Sequence, residues 1–387
     1  MANLKNTIIS GSTAITGSWN LVGNLTINGN VQITGSVNIT GSLLLNGTTP
    51  GGSGGASLSA SLSTISPAYS SSVTITATPT GITPSSYTFI YPTDSIGTRT
   101  SVTQASASLA IIAKGYGPQT ITVTATNGTS IVGSTCSMNV SSMTQVTDFL
   151  TNTGITDTTI TGSIRTLALS LDDAGLWTSM NVIYPFVGGT ATTHKYNLKD
   201  PRDVDAAYRL VFSGGWTHNS NGVTGNGTNT AADTKFNNTS GSQNSICFGV
   251  YNRTTGSAQW DMAASSTPRT QLVISYAGSC YWDINNSANS ATQAVGSARL
   301  LGLVTANRYD STNTQWGNDA VGMRTTQLAT SAPASTNFAL GAFNTGATLS
   351  SARNYALCFI TSGLTPLQLS NLSNIVATFQ TTLGRNV

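Results

Sequence analysis

Glycine recurs every six residues near the start of the chain, at Gly11, Gly17, Gly23, Gly29, Gly35, Gly41 and Gly47. A fixed period of this kind means one small structural unit stacked on copies of itself. Ser or Asn follows each of the first six glycines. From Gly17 on, apolar residues take the second and fourth places after the glycine: Trp19/Leu21, Leu25/Ile27, Val31/Ile33, Val37/Ile39 and Leu43/Leu45. Alternation with period two is a strand pattern, and the glycine supplies a corner that tolerates positive φ. A single-chain triangular solenoid would use three hexads per coil, so seven hexads make little more than two coils with apolar layers open at both ends. Three chains wound about one axis would bury the alternating residues in a shared core and leave no free sheet edge. The repeat thus predicts a homotrimeric β-fibre over residues 1–47, with Leu25, Ile27, Val31, Ile33, Val37, Ile39, Leu43 and Leu45 as its trimer core.

Charge patterning narrows the class further. From Asn6 to Thr93 there is no Asp, Lys, Arg or His, and the whole chain contains no Glu. A disordered tail stays soluble through net charge, so this stretch reads as folded or assembled. Without Glu, a strong helix former, and with abundant Thr, Val, Gly and Asn, the chain is expected to be all-β. Its 16 basic residues are scattered and the net charge is only +3, which argues against nucleic-acid binding. Cys136, Cys247, Cys280 and Cys358 form no metal-ligand spacing and read as isolated buried thiols; no cofactor and no metal is implied. No signal peptide and no apolar run of about 18 residues is present, so the chain reads as made in a cytoplasm and not inserted in a membrane.

Beyond the repeat, Gly/Ser-rich residues 48–57 read as a linker. Residues 58–142 hold short alternating runs at Val73–Thr78, Tyr87–Tyr91, Ser108–Ala113, Thr120–Thr126 and Ser130–Val140, the rhythm of an immunoglobulin-like sandwich. Tyr116, just before QTITVTATNG, is placed to serve as a corner tyrosine. The remainder, 143–387, opens with a predicted helix around Ile164–Leu171. It continues with strands such as Ser245–Tyr251 and Thr270–Tyr276. At its end Thr365-Pro366 caps a helix in which Leu367, Leu369, Leu372, Ile375, Val376 and Phe379 share a face.

The segments Gly175–Pro201, Asp205–Asn237, Phe338–Asn344 and Ser351–Arg385 resemble a C-terminal domain of structural proteins of phages infecting Bacteroidetes-type hosts, similar to concanavalin A-like/laminin G-like jelly rolls. Residues 58–142 likewise resemble the Ig-like modules of phage surface proteins. The resemblance implies a two-sheet antiparallel sandwich with the strand Tyr355–Thr361 returning near the first and a helix over Thr365–Leu383 outside. It also implies a bacteriophage fibre or virion appendage exposed on the particle.

No catalytic constellation is present. The two histidines, His194 and His218, accompany no GxSxG, HExxH or P-loop motif, and glycoside hydrolysis needs paired carboxylates that usually include Glu. The chain therefore reads as a non-enzyme. Asp172/Asp173 and Asp200, Asp203 and Asp205 beside Arg202 read as capping and turn residues, with a calcium loop as the alternative for the latter group. Sugars need an aromatic face beside amide partners. Trp216, His218 and Asn219; Trp282 and Asn285; and Trp316 and Asn318 supply that chemistry, with core packing the competing role for each Trp. The expected function is a trimeric head or tail fibre that contacts capsid or tail proteins and adheres to bacterial surface glycans. A purely structural decoration protein and a polysaccharide depolymerase are the alternatives.

Overall fold

The computed structural model describes residues 56–94, 98–255, 260–286, 301–318 and 322–387, and describes the strand backbone alone within 2–45 and at 292–294. Side chains at 265–266, 318 and 322–324 are likewise outside the description. The chain divides into two compact units, one of Met1–Thr93 with Gly97–Val140 and a second that runs from Ser141 to Val387.

In the repeat, parallel pairing joins strands of the same chain. Thr7 faces Leu25, Ile15 faces Ile33, Trp19 faces Val37 and Leu25 faces Leu43, an offset of 18 residues, or three hexads; over Ala2–Lys5, before a register shift, the offset is 17. This is the register of one chain coiling on itself. Pairing after three hexads lets backbone partners be found within the chain at a small loop-closure cost. The backbones of Leu25, Ile27, Val31, Ile33, Val37, Ile39, Leu43 and Leu45 lie in these strands, but their side chains fall outside the described residues.

From Ser57 to Val140 seven strands make two antiparallel sheets. One holds Ser108–Ile112, Ser72–Thr80 and Ser57–Leu62; the other runs Arg99–Gln104, Ser86–Pro92, Gly117–Thr126, Ile131–Val140. The fourth strand, Arg99–Gln104, pairs with the third, Ser86–Pro92, and so joins the four-stranded sheet. Period-two alternation drives the packing of the two sheets: Val73, Ile75 and Ala77 are buried between more accessible neighbours and meet Phe89, Ile121 and Val123 across the core. Tyr116 does not form a buried corner; it stands 47% exposed.

The second unit is a larger antiparallel sandwich. An eight-stranded sheet is ordered Thr217–Asn219, Gly222–Thr224, Asn354–Thr361, Ile246–Asn252, Gly302–Arg308, Asn313–Asn318, Gly322–Gln327, with Met180–Tyr184 also paired to Asn354–Thr361. The last strand therefore does return beside the first, Cys358 facing Tyr184. Facing it, a seven-stranded sheet is ordered Val211–Ser213, Ala231–Asn237, Asn337–Leu340, Met262–Ser266, Arg269–Tyr276, Ser279–Asn286, Thr292–Ala294. Phe248, Phe338, Leu272, Trp282, Trp316 and Ile360 fill the space between. Removing this much apolar surface from water is the main stabilising contribution.

Helices occupy Thr144–Thr153, Thr158–Asp173 and Pro366–Thr382. The last is capped as its sequence requires: Thr365 Oγ1 accepts from the Gln368 amide at 3.3 Å, and Gln368 Oε1 accepts from the Thr365 amide at 3.0 Å. Leu369, Leu372, Val376 and Phe379 are buried, whereas Leu367, expected on that face, is 71% exposed. Among the described residues no helix is long and apolar enough to cross a membrane.

Candidate functional site

The residues that the sequence singled out for sugar contact do not converge. Trp282 and Trp316 are 1% and 0% exposed, with ring centroids 6.0 Å apart between the two sheets. Inward positions on strands of the two facing sheets put both indoles in the core, where no ring face can reach a ligand. Asn285, also buried, is the hub of an internal network: its Oδ1 accepts from Asn238 Nδ2 and Thr270 Oγ1, and its Nδ2 donates to the Gln243 carbonyl. These three expectations are corrected to structural roles. The Asn318 side chain lies outside the described residues.

Trp216 is half-buried, donates Nε1–H to the Ala231 carbonyl at 3.2 Å and stands edge-on to Phe212. Exposed Asn219 uses its Oδ1 to accept the Asn221 amide in a tight turn. His218 reaches inward to His194, Nδ1 to Nδ1 at 3.0 Å. The tautomers follow from one contact: the Gly189 amide donates to His194 Nε2, so the proton of His194 sits on Nδ1 and is donated to His218 Nδ1. A metal held between the two Nδ1 atoms would force a proton onto Nε2, against the Gly189 N–H, so this pair is a hydrogen bond and not a ligand set. Burial, then the neighbouring His218 and Arg385, lower the pKa of His194 to about 3.

The acidic loop is equally committed. Asp200 pairs with Arg202, Asp203 with Lys195 and Arg209, and Asp205 with Arg209 and Lys235. Hydrogen bonds from Arg202 and from Lys195 and Arg209 hold the Asp200 and Asp203 carboxyls below the usual carboxylate range. Each carboxylate of the proposed calcium loop already has a cationic partner, and among the described residues no group of three or more His, Cys or Asp could hold a metal.

Elsewhere the second unit does present an aromatic site. On the outer face of the seven-stranded sheet a cleft of about 330 Å³ is lined by Trp260, Arg269, Gln271, Val273, Tyr276, Tyr281, Phe343 and Leu349. The pleat places it. In Arg269–Tyr276, Leu272 and Ile274 point into the core, so Gln271 and Val273 point out, facing Asp283 and Tyr281 of the neighbouring strand. Outward residues of a sheet are usually wet, yet Gln271 and Val273 are 6% and 1% exposed. They form a recessed floor, with Trp260 beside Tyr276 and Phe343 at centroid distances of 5.9 and 5.5 Å.

A hydrogen-bonded chain fixes this floor. Trp260 Nε1 donates to Gln271 Oε1 at 2.6 Å, Gln271 Nε2 donates to Asp283 Oδ2 at 2.7 Å, and Asn286 Nδ2 donates to Asp283 Oδ1 at 3.1 Å. The Trp260 amide meanwhile donates to the Leu349 carbonyl at 3.2 Å, tying two lining residues together. Among the described residues the hydroxyls of Tyr276 and Tyr281 have no hydrogen-bond partner, and both line the cleft. Ring faces, two hydroxyls and an oriented amide are thus gathered in one recess, which is the chemistry a sugar ring requires.

Sequence reasoning passed over Trp260 because it stands in AQWDM, with no Asn or Gly beside it. The usable signal lay in RTQLVISY, where polar residues interrupt one face of a strand that is apolar on the other.

No family model matches the sequence, and no curated protein matches it. Among solved structures the chain is similar to domain 4 of AbnA, an extracellular arabinanase from Geobacillus stearothermophilus solved with arabinotriose (12% identity, 50% of this chain and 98% of that one, TM-score 0.31). It is similar also to carbohydrate-binding modules of the β-sandwich superfamily (9% identity, 79% and 96% covered, TM-score 0.20). A third is a tetra-tandem repeat from the extending region of a large adhesion protein (10% identity, 83% and 77% covered, TM-score 0.19). At such TM-scores these likenesses carry no argument about ligand or topology.

Proposed function

We propose that this chain is a non-enzymatic, glycan-binding virion appendage of a phage, in which the second unit holds the sugar at the Trp260 cleft and the hexad repeat serves as stalk. The cleft is the observation that carries the binding role. Stacking of C–H groups on Trp260, Tyr276, Tyr281 or Phe343 would supply apolar contact, and the Tyr hydroxyls and Gln271 would read the hydroxyl edge. A binding role also fits the acid–base chemistry: Asp283 lies buried under the floor with each oxygen already accepting a hydrogen bond. Hydrolysis would need two carboxylates flanking the scissile bond.

The phage assignment, the jelly-roll identity of the sandwich and the contact with capsid or tail proteins rest on the sequence resemblance. Association of the stalk in threes is part of the same proposal, now as solenoids meeting side by side. Three heads would multiply weak single-site affinity by about 10²–10⁴ where glycans are suitably spaced.

A glycan array probed with the full chain and with Trp260→Ala tests the central part. The parent should mark a defined set of glycans. The variant should lose at least ~10-fold in affinity for them, the usual consequence of removing an aromatic anchor, while its melting transition stays well above the assay temperature. Equal binding by the two proteins would remove the cleft from the account.

A further inference from the structure

Resting on that reading of the Trp260 cleft, we propose that its ligand is a single soluble glycan chain or oligosaccharide inserted edgewise, and not the flat face of a crystalline polysaccharide. The ring geometry carries the distinction. Trp260 is inclined 41° to Tyr276 and 71° to Phe343, so these rings share no common plane on which a flat sugar lattice could rest. A lone chain turns successive rings and hydroxyl edges toward inclined walls. The floor agrees, since Gln271 and Val273 are too recessed to touch anything wider than the cleft. A volume of about 330 Å³ lies at the lower end of small-molecule sites, room for a short stretch of chain.

Recognition at the floor is directional. The Trp260 N–H can only donate, so Gln271 must present Oε1 to it and Nε2 to Asp283; the amide cannot flip. One amide hydrogen and one Oε1 lone pair are left for the ligand. Beside them stand the unpartnered hydroxyls of Tyr276 and Tyr281. The site therefore offers paired donors and acceptors at fixed positions, matched to the adjacent hydroxyls of a sugar edge.

The test uses the full chain with two kinds of probe: soluble gluco-, xylo-, manno- and arabino-oligosaccharides in calorimetric titrations, and suspensions of microcrystalline cellulose and chitin in sedimentation assays. At least one soluble series should bind, and the crystalline polymers should deplete no protein. Gln271→Met should weaken binding by about 3–10-fold, the effect of one or two lost hydrogen bonds. Tyr281→Phe, which leaves the Trp260–Gln271–Asp283 chain intact, should weaken it by about 3-fold and serves where Gln271→Met melts early. Depletion of the parent by cellulose or chitin but not of Trp260→Ala would overturn the single-chain inference while keeping the cleft as a glycan site. Soluble binding unmoved by both floor variants would overturn the hydroxyl-edge reading. No binding of any probe, or binding unmoved by Trp260→Ala, would overturn the cleft reading itself.

Discussion

Replacing Arg353 by methionine should destabilise the second unit by about 3–5 kcal/mol, because it strands a buried carboxylate, and should lower its melting transition by roughly 10 °C. Arg353 and Asp261 are 2% and 0% exposed and meet at 3.1 Å. Asp261 also accepts from the Tyr355 hydroxyl at 2.7 Å and from the Ile274 amide at 2.7 Å, while Arg353 Nη1 donates to the Thr254 carbonyl. Burial pushes the Asp261 carboxyl above the usual range, and Arg353 followed by these hydrogen bonds pulls it back. With the guanidinium gone, the carboxyl is expected to rise further and take up a proton. The deficit of the variant should then shrink as the pH is lowered. Thermal melts of the full chain at pH 7 and pH 5, with and without the substitution, measure both effects. Asp261 directly follows Trp260 in sequence, so the same variant should also loosen the cleft.

Acidification should weaken the second unit independently through His194. Its folded pKa of about 3 lies below the ordinary 6.5, so the fold holds the neutral imidazole. A depressed pKa contributes stability that is fully present above the unfolded value and is lost as pH falls from about 6.5 toward 3. By pH 4 the expected loss is on the order of 3 kcal/mol from this residue. The structural cause is double: a second proton on His194 would face the Gly189 N–H, and one on His218 Nδ1 would face the His194 Nδ1–H. His218 is shifted in the same direction by its own burial, so the two titrate as a pair. In urea titrations at pH 7, 5.5 and 4, His194→Gln should start lower than the parent and show a flatter dependence on pH. Parallel slopes for the two proteins would contradict the assignment.

Most of the β architecture was legible because burial leaves a period-two trace. The strands at Ser72–Thr80, Ser86–Pro92 and Gly117–Thr126 carry it, whereas Asn354–Thr361 is buried at every residue and reads as a continuous apolar run; the capped terminal helix declares itself through Thr365-Pro366 and Gln368. The helix Thr144–Thr153 left no such trace, because only Val146 and Phe149 of its ten residues are buried and Thr and Asn are poor helix formers. Nor did the register of the repeat, since the same hexad pattern satisfies one chain coiling on itself or three interwinding. The site was the least legible part. Trp216, Trp282 and Trp316 are chemically indistinguishable from Trp260 in the sequence; what separates them is which side of a sheet each reaches. That depends on strand register and on a loop that brings Phe343 and Leu349 over the outer face, both set by contacts distant along the chain.

The most direct measurement is a titration of the ¹⁵N-labelled full chain with the best soluble glycan from the array, following the indole N–H resonances. Trp260 should shift or broaden progressively, because its Nε1–H bonds to the cleft floor, while those of the core residues Trp282 and Trp316 should hold their positions. A stationary Trp260 signal with movement at Trp216 would place the ligand on the Thr217–Thr224 hairpin and contradict the account.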